Sequence, residues 1–208
     1  ADLAAAEQAV GDARRRAAPQ FAEAVIAQLR TLAMARARFA VEVGDDPAGR
    51  SVTWMLGANP GEPALPLTKV ASGGELARTM LAARLVLSGV AGSLPDRGPG
   101  RTLIFDEVDA GIGGEAAVAV GRALAALARH HQVLVVTHLP QVAAFATDHL
   151  RVRKTTDGER TAAEVSRVEG PERVVELSRM LSGQPRSDTA RRHAEELLAM
   201  AGSSRPSR

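Results

Sequence analysis

Cysteine is absent from the 208 residues, so the chain can build neither a disulfide framework nor a thiolate metal site. That fits a reducing compartment. Aromatic residues make up only 2% of the chain, and no apolar run approaches the roughly 18 residues that a membrane span needs. No signal peptide opens the sequence. Its first residue is Ala rather than Met, in a stretch of helical character, so the expectation is a fragment of a longer chain. A formal charge of +2 is too small to argue for nucleic acid by itself, and the arginines are dispersed apart from Arg14 to Arg16. Also missing is any G-x-x-x-x-G-K-[ST], the loop that cradles nucleotide phosphates. What is there is an apolar content of 45% with abundant alanine. That composition suits helices packed closely through small side chains, and the length allows one sizeable core, or one domain with an appendage.

The most informative stretch is RTLIFDEVD, from Arg101 to Asp109. Leu103, Ile104 and Phe105 form an apolar run that reads as a buried parallel strand, and Asp106 and Glu107 stand at its C-terminal end, where ligands of open α/β sheets bind. Two adjacent acids are costly to hold together unless a cation or a reacting group lies between them. Mg²⁺ on a nucleotide phosphate is the simplest occupant, with Asp106 toward the metal and Glu107 toward a water. An ordinary strand followed by an acidic, solvated loop is the alternative. Further on, Val133 to Val136 reads as a second buried strand after a helix over about 115–129, whose apolar side is Val118, Val120, Leu124 and Leu127. Strand–helix–strand implies a parallel pair with a right-handed crossover. Thr137 and His138 then fall at the same edge as Asp106 and Glu107, although a lone histidine is often structural.

Ahead of these, Ser72-Gly73-Gly74-Glu75 begins a helix over about 73–90, with Leu76, Met80, Ala83, Leu87 and Val90 on one face. Ser72 as N-cap and Glu75 three residues on form a capping-box pattern. The two glycines bare backbone N–H groups at a helix N-terminus, a phosphate-binding surface, although an ordinary capped helix has the same pattern. At the start of the chain, Phe21, Val25, Ile26, Leu29, Leu32 and Met34 predict an amphipathic helix over 21–37. The Ala-rich segment before it reads as the tail of a longer helix interrupted near Pro19, either a coiled-coil arm or a plain packing helix. Phe39 to Val43 and Ser51 to Leu56, around the turn-rich GDDPAGR, predict a β-hairpin. Gly89 to Gly100 reads as a surface loop. Later elements are a short helix from Leu139 to Phe145, strands over 148–154 and 161–168 joined at Asp157-Gly158, and helices over 172–181 and 188–200.

The order is an S-G-G-E helix, a strand with D-E, a Gly-rich turn, a helix, and a strand with T-H. This resembles the C-terminal half of an ABC-type ATPase head. Ser72 to Glu75 match the signature motif, Leu103 to Glu107 match Walker B, Ala110 to Gly113 fall at the D-loop, and His138 matches the switch histidine. A helical arm ahead of the signature resembles the SMC-like branch. NPGEP at 59–63, KVASGGEL at 69–76, IFDEVDAGIGG at 104–114 and VTHLPQVAA at 136–144 narrow the likeness to its bacterial DNA-repair members.

The resemblance implies an α/β fold: a parallel sheet with flanking helices and extra β-hairpins, behind an N-terminal helical segment. It divides the chain into the end of an arm (1–37), the C-terminal lobe of a head (38–201) and a disordered tail (202–208). It also implies ATP and Mg²⁺. Asp106 would hold the metal, Glu107 would polarise the attacking water, and His138 would sense the γ-phosphate. Ser72, Gly73, Gly74 and Glu75 would serve a nucleotide held by the opposite head, beside the D-loop Ala110, Gly111, Ile112 and Gly113. The expected partners are the N-terminal P-loop half, a second head, DNA and recombination proteins, in a cytoplasmic, nucleoid-associated protein that repairs double-strand breaks. Gly113 stands where many heads have Asp, removing one inter-head contact. With no P-loop, the chain alone is expected not to hydrolyse ATP. The other readings are the head of another SMC-like chromosome-maintenance ATPase, argued against by A-S-G-G and A-G-I-G, and a non-catalytic dimerisation or docking module.

Overall fold

The computed structural model describes residues 2–70, 72–89, 101–157, 160–184 and 187–203. They divide into two units, 1–112 with 126–135 and 113–125 with 136–208. The expected loop over 89–100, the Gly158 turn and the end of the tail fall wholly or partly outside the described residues.

In the first unit, helix α1 runs Asp2–Thr31 as one continuous element. The expected interruption at Pro19 does not occur. Proline cannot donate to the carbonyl four residues back, but Pro19 is on the exposed side, where water can take that bond. Ala18, Ala22, Val25 and Leu29 are the buried stripe. The helix stops where Ala33 turns left-handed (φ 61°) and Met34 donates its N–H to the Leu29 carbonyl at 3.0 Å, a Schellman closure. Strands β1 (Arg38–Val43) and β2 (Val52–Gly57) pair antiparallel, and β3 (Leu65–Pro66) adds to β2. The scarce aromatics concentrate here. Phe21, Phe39 and Trp54 meet with ring centroids 5.3–6.2 Å apart, fixing α1 on the hairpin.

The loop between β1 and β2 leans on α1. Arg14 donates to the carbonyls of Ala48 and Gly49, and Arg15 to those of Gly44 and Asp46. Glu7 pairs with Arg50. Two of the three clustered arginines are therefore engaged on loop carbonyls. Gly11 lets the loop approach, since a Cβ there would lie 2.0 Å from the Pro47 carbonyl oxygen.

Helix α2 spans Gly73–Leu87. Its buried side is Arg78, Thr79, Leu81, Ala82, Ala83, Leu85 and Val86, not the expected stripe, and Leu87 is exposed. Apolar residues run around much of this helix, and the packed face takes Leu81, Leu85 and Val86 together with a polar and a charged side chain. Strands β4 (Thr102–Phe105) and β5 (Gln132–Val135) form the expected parallel pair, in register from Thr102↔Gln132 to Phe105↔Val135. Here the expectation of strands buried on both faces is corrected: Ile104 is 70% exposed and its cross-strand partner Leu134 47%. Among the described residues only one face of the pair is covered.

Helix α3 (Gly114–Leu127) buries Ala117, Val120, Leu124 and Leu127. In the second unit, α4 (Pro140–Ala143), α5 (Gly170–Ser182) and α6 (Asp188–Ser203) share a core of Ala143, Ala144, Phe145, Leu177, Ala194, Leu197 and Ala201. Small residues dominate it, as the alanine content implied. Strands β6 (His149–Asp157) and β7 (Arg160–Val168) pair antiparallel. No described helix is long and apolar enough to cross a membrane.

Gly11→Ala tests the packing of the loop on α1. Helix propensity alone favours alanine by about 1 kcal/mol. Overpacking against a backbone oxygen costs about 1–3 kcal/mol. The expected outcome is a lower melting temperature by calorimetry; an unchanged or raised one contradicts the packing.

Candidate functional site

Helix α2 begins as the sequence predicts. Ser72 is extended (φ −90°, ψ 115°) and its Oγ accepts the Glu75 N–H at 3.4 Å, one half of the capping box. Such a cap is worth about 1 kcal/mol. The helix then presents Gly73 on the surface and Gly74 buried beneath it.

The acidic turn after β4 is packed against this helix start. A Cβ on Gly74 would lie 2.7 Å from the Ala110 carbonyl oxygen and 3.0 Å from the Ala110 Cβ. Backbone and a rigid methyl cannot yield as a long side chain can, so the close approach requires glycine at 74. At Gly73 the neighbour is different: the Glu107 carboxylate, with Oε2 2.6 Å from where a Cβ would stand. An anion thus sits at the α2 N-terminus, where the helix dipole and free N–H groups favour it.

The turn itself is tightly made. Asp106 Oδ1 accepts the Glu107 N–H at 3.0 Å, and the Glu107 carbonyl accepts the Ala110 N–H at 3.0 Å. Glu107 is left-handed (φ 56°), a conformation that costs a non-glycine residue energy and is held by its surroundings. Both carboxylates are exposed, while Val108 and Asp109 are buried at 0% and 2% and anchor the turn from below. Gly111 also has positive φ, 73°. One compact unit therefore brings together Ser72, Gly73, Gly74, Glu75, Asp106, Glu107, Ala110, Gly111 and Ile112, all singled out from the sequence. Gly113 begins the other unit, to which His138 also belongs.

His138 follows Thr137, whose Oγ1 accepts the Leu139 N–H at 3.0 Å and so turns the chain into α4. The other end of α4 is held by a residue that sequence reasoning missed. Arg173 Nη2 donates to the carbonyls of Ala143, Ala144 and Ala146 at 2.8–3.0 Å, capping the short helix that carries the T-H segment. No spacing announces this, because Arg173 lies about thirty residues away on α5. His149 is half-buried beside it. Burial lowers its pKa below the usual histidine value, the Arg173 and Arg151 charges lower it further, and Glu176 opposes them. Glu176 is itself buried and paired with Arg179 at 2.6 Å. Among the described residues, no group of three or more His, Asp or Glu converges as a self-sufficient metal site.

Known proteins resemble the chain throughout. It is 51% identical to the DNA repair protein RecN of Streptomyces coelicolor over 222 residues, covering 99% of this chain and 38% of that protein. It is 45% identical to the DNA repair protein RecN of Deinococcus radiodurans, covering 96% of this chain and 34% of that one. The chain thus spans little more than a third of the curated relatives it matches. In structure it resembles the Smc head domain with coiled coil and joint from Pyrococcus yayanosii: TM-score 0.53, 18% identity, covering 86% of this chain and 29% of that one. That likeness concerns the fold. No protein-family model matches the chain.

The His149 environment makes a prediction for pH. A histidine whose folded pKa lies below its unfolded value binds fewer protons when folded, so stability rises with pH. The contribution is present above about 6.5 and is lost as pH falls through the lowered folded value. The melting temperature should therefore drop as pH is lowered from neutral, and His149→Gln should flatten that dependence. An identical pH profile in the variant contradicts the assignment.

Proposed function

We propose that this chain, which belongs with the RecN proteins over nearly all of its length, supplies the signature and Walker B half of a composite ATP site in an SMC-like DNA-repair ATPase. The observation that carries the reading is the packing of the Ser72-Gly73-Gly74 helix start on the Asp106–Ala110 turn, at the end of a parallel strand pair. Phosphoryl transfer depends on positioning and charge neutralisation, and this edge carries donors, acids and a helix N-terminus together. In this reading residues 1–37 are the end of an arm, 38–201 the C-terminal lobe of a head and 202–208 a tail.

Residue roles follow from the chemistry. Asp106, an exposed carboxylate, fits Mg²⁺ as nucleotide-bound cations are held, by one or two acids with phosphate and water completing the shell. The ion supplies neutralisation of phosphate charge. Glu107 orients the attacking water and accepts its proton, and His138 hydrogen-bonds the γ-phosphate. Ser72, Gly73 and Gly74 offer hydroxyl and backbone N–H groups to the γ-phosphate of the opposite head, with Glu75 capping the helix. Phosphate arriving at α2 meets the Glu107 carboxylate already at Gly73. The two anions compete for one N-terminus, so the glutamate swings away toward its own head's nucleotide. ATP holds two heads together and hydrolysis releases them, a cycle that the arm and DNA contacts convert into holding broken ends.

The missing groups come from the P-loop half. The uncovered face of β4 and β5, with Ile104 and Leu134 exposed at 70% and 47%, is where that half would dock. The same observation favours a second reading, in which this chain by itself is a docking module without catalysis. The proposed site lies in the nucleoid-associated part of the cytoplasm, with recombination proteins as further partners.

Mixing the chain with a P-loop half should restore ATP hydrolysis. Glu107→Gln should then lower kcat by about 10²-fold or more while nucleotide-bound dimers accumulate by light scattering. Hydrolysis at the wild-type rate with Gln at 107 contradicts the general-base role. For DNA, the engagement of Arg14 and Arg15 on loop carbonyls leaves no concentrated basic stripe there. The chain alone should bind duplex DNA weakly, and steeply less so as salt rises to about 0.2 M. Tight binding in a titration at that salt contradicts this.

A further inference from the structure

Arg78 stands one helical turn beyond Gly74 on the same face of α2, and only 6% of it is exposed. Its Nη1 donates to the Ala110 carbonyl oxygen at 2.8 Å. The same nitrogen lies 3.1 Å from where a Gly74 Cβ would stand, so Gly74, Arg78 and Ala110 converge on one point. Nε is buried without a partner among the described residues. Burial pushes the guanidinium pKa down, and Glu75, one turn back, pushes it up. An arginine remains charged under these conditions. Burying a cation this deeply is costly, and an apolar side chain would fill the space without that cost.

Within the segment it holds, the Ile112 N–H donates to the Asp109 carbonyl at 3.4 Å. Around Gly111, Gly113 and Gly114 the space a side chain would fill is open to 4 Å. Ala110 is also the residue whose N–H closes the turn on the Glu107 carbonyl, at 3.0 Å. A bond to the Ala110 carbonyl therefore acts in two directions: outward on the glycine-rich segment, and back on the left-handed backbone of Glu107.

We propose that Arg78 is a positioning residue that locks Ala110, Gly111 and Ile112 to the start of α2, so that the D-loop and the signature helix are presented to the opposite head as one rigid edge. The guanidinium acts through Ala110. Arginine suits the task because its planar fork fixes direction as well as charge, whereas lysine supplies a single flexible ammonium. The proposal rests on the composite-site reading above for its catalytic consequence, but not for the clamp itself.

The test uses Arg78→Gln and Arg78→Lys in the chain assembled with its P-loop half, with two readouts. In amide hydrogen exchange without nucleotide, Arg78→Gln should speed exchange at Ala110, Gly111 and Ile112 by about tenfold or more while Leu81 to Val86 keep their protection. Arg78→Lys should fall between. In steady-state kinetics, Arg78→Gln should lower kcat by about tenfold or more with KM changed less than about threefold, and Arg78→Lys should recover part of the loss. Unchanged exchange at residues 110–112 overturns the clamp. Equal acceleration through Leu81 to Val86 also overturns it, because that pattern is general destabilisation. If the wild-type pair hydrolyses no ATP, the composite-site reading fails, and the exchange experiment still decides the role of Arg78.

Discussion

The closeness of Gly74 to Ala110 is the constraint on which the site depends. With a Cβ at 74 blocked by backbone 2.7 Å away, the first turn of α2 can lie directly on the turn that follows β4. That contact brings the helix N-terminus to the two acids, places the Glu107 carboxylate at Gly73, and lets Arg78 reach the Ala110 carbonyl. Elsewhere the fold holds these two pieces in place. The cap at Ser72 fixes where α2 starts, and buried Val108 and Asp109 fix the turn. Each contributes only about 1–2 kcal/mol, but together they determine which backbone groups face outward.

A second constraint comes from the sheet. Two parallel strands do not make a stable sheet in water, and parallel strands normally have both faces covered. The open face of β4 and β5 carries Ile104 and Leu134 beside the hydrogen-bonded pair Thr102 and Gln132, and both apolar side chains are exposed. The chain spans little more than a third of its relatives. In the second unit α4, α5 and α6 close on one another through small residues, while Leu150, Val152 and Val165 on β6 and β7 are exposed. The half-covered sheet and the acidic turn lie in the same unit.

Much of this was legible in the sequence because local rules dominate there. Periodicity placed the helices and strands, and S-x-x-E placed the start of α2 to the residue. The D-E pair stood out because an apolar run ending in two adjacent acids marks a strand end, and both acids do follow β4. What could not be read depends on partners distant in sequence. Pro19 was expected to break α1, but exposure on one side of a helix is set by what packs on the other. Arg14 and Arg15 looked like a basic cluster, and only the hairpin loop shows that they serve carbonyls at 44–49. The buried face of α2 was misplaced because apolar residues lie on more than one side of it, and buried Arg78 and Thr79 count as polar in any apolar stripe. Arg173 and His149 carry no local mark either; their roles arise from α5 meeting α4 and from His149 lying beside Arg173 and Glu176.

Amide exchange in β4 and β5 tests the central claim, that this chain is one half of a composite head. The exchange of Leu103 to Phe105 and Val133 to Val135 is followed in the chain alone and after addition of the P-loop half. The account predicts that protection on both strands rises by about tenfold or more when the open face is covered. Unchanged exchange at saturating P-loop half, with Ile104 and Leu134 as open as before, would contradict it.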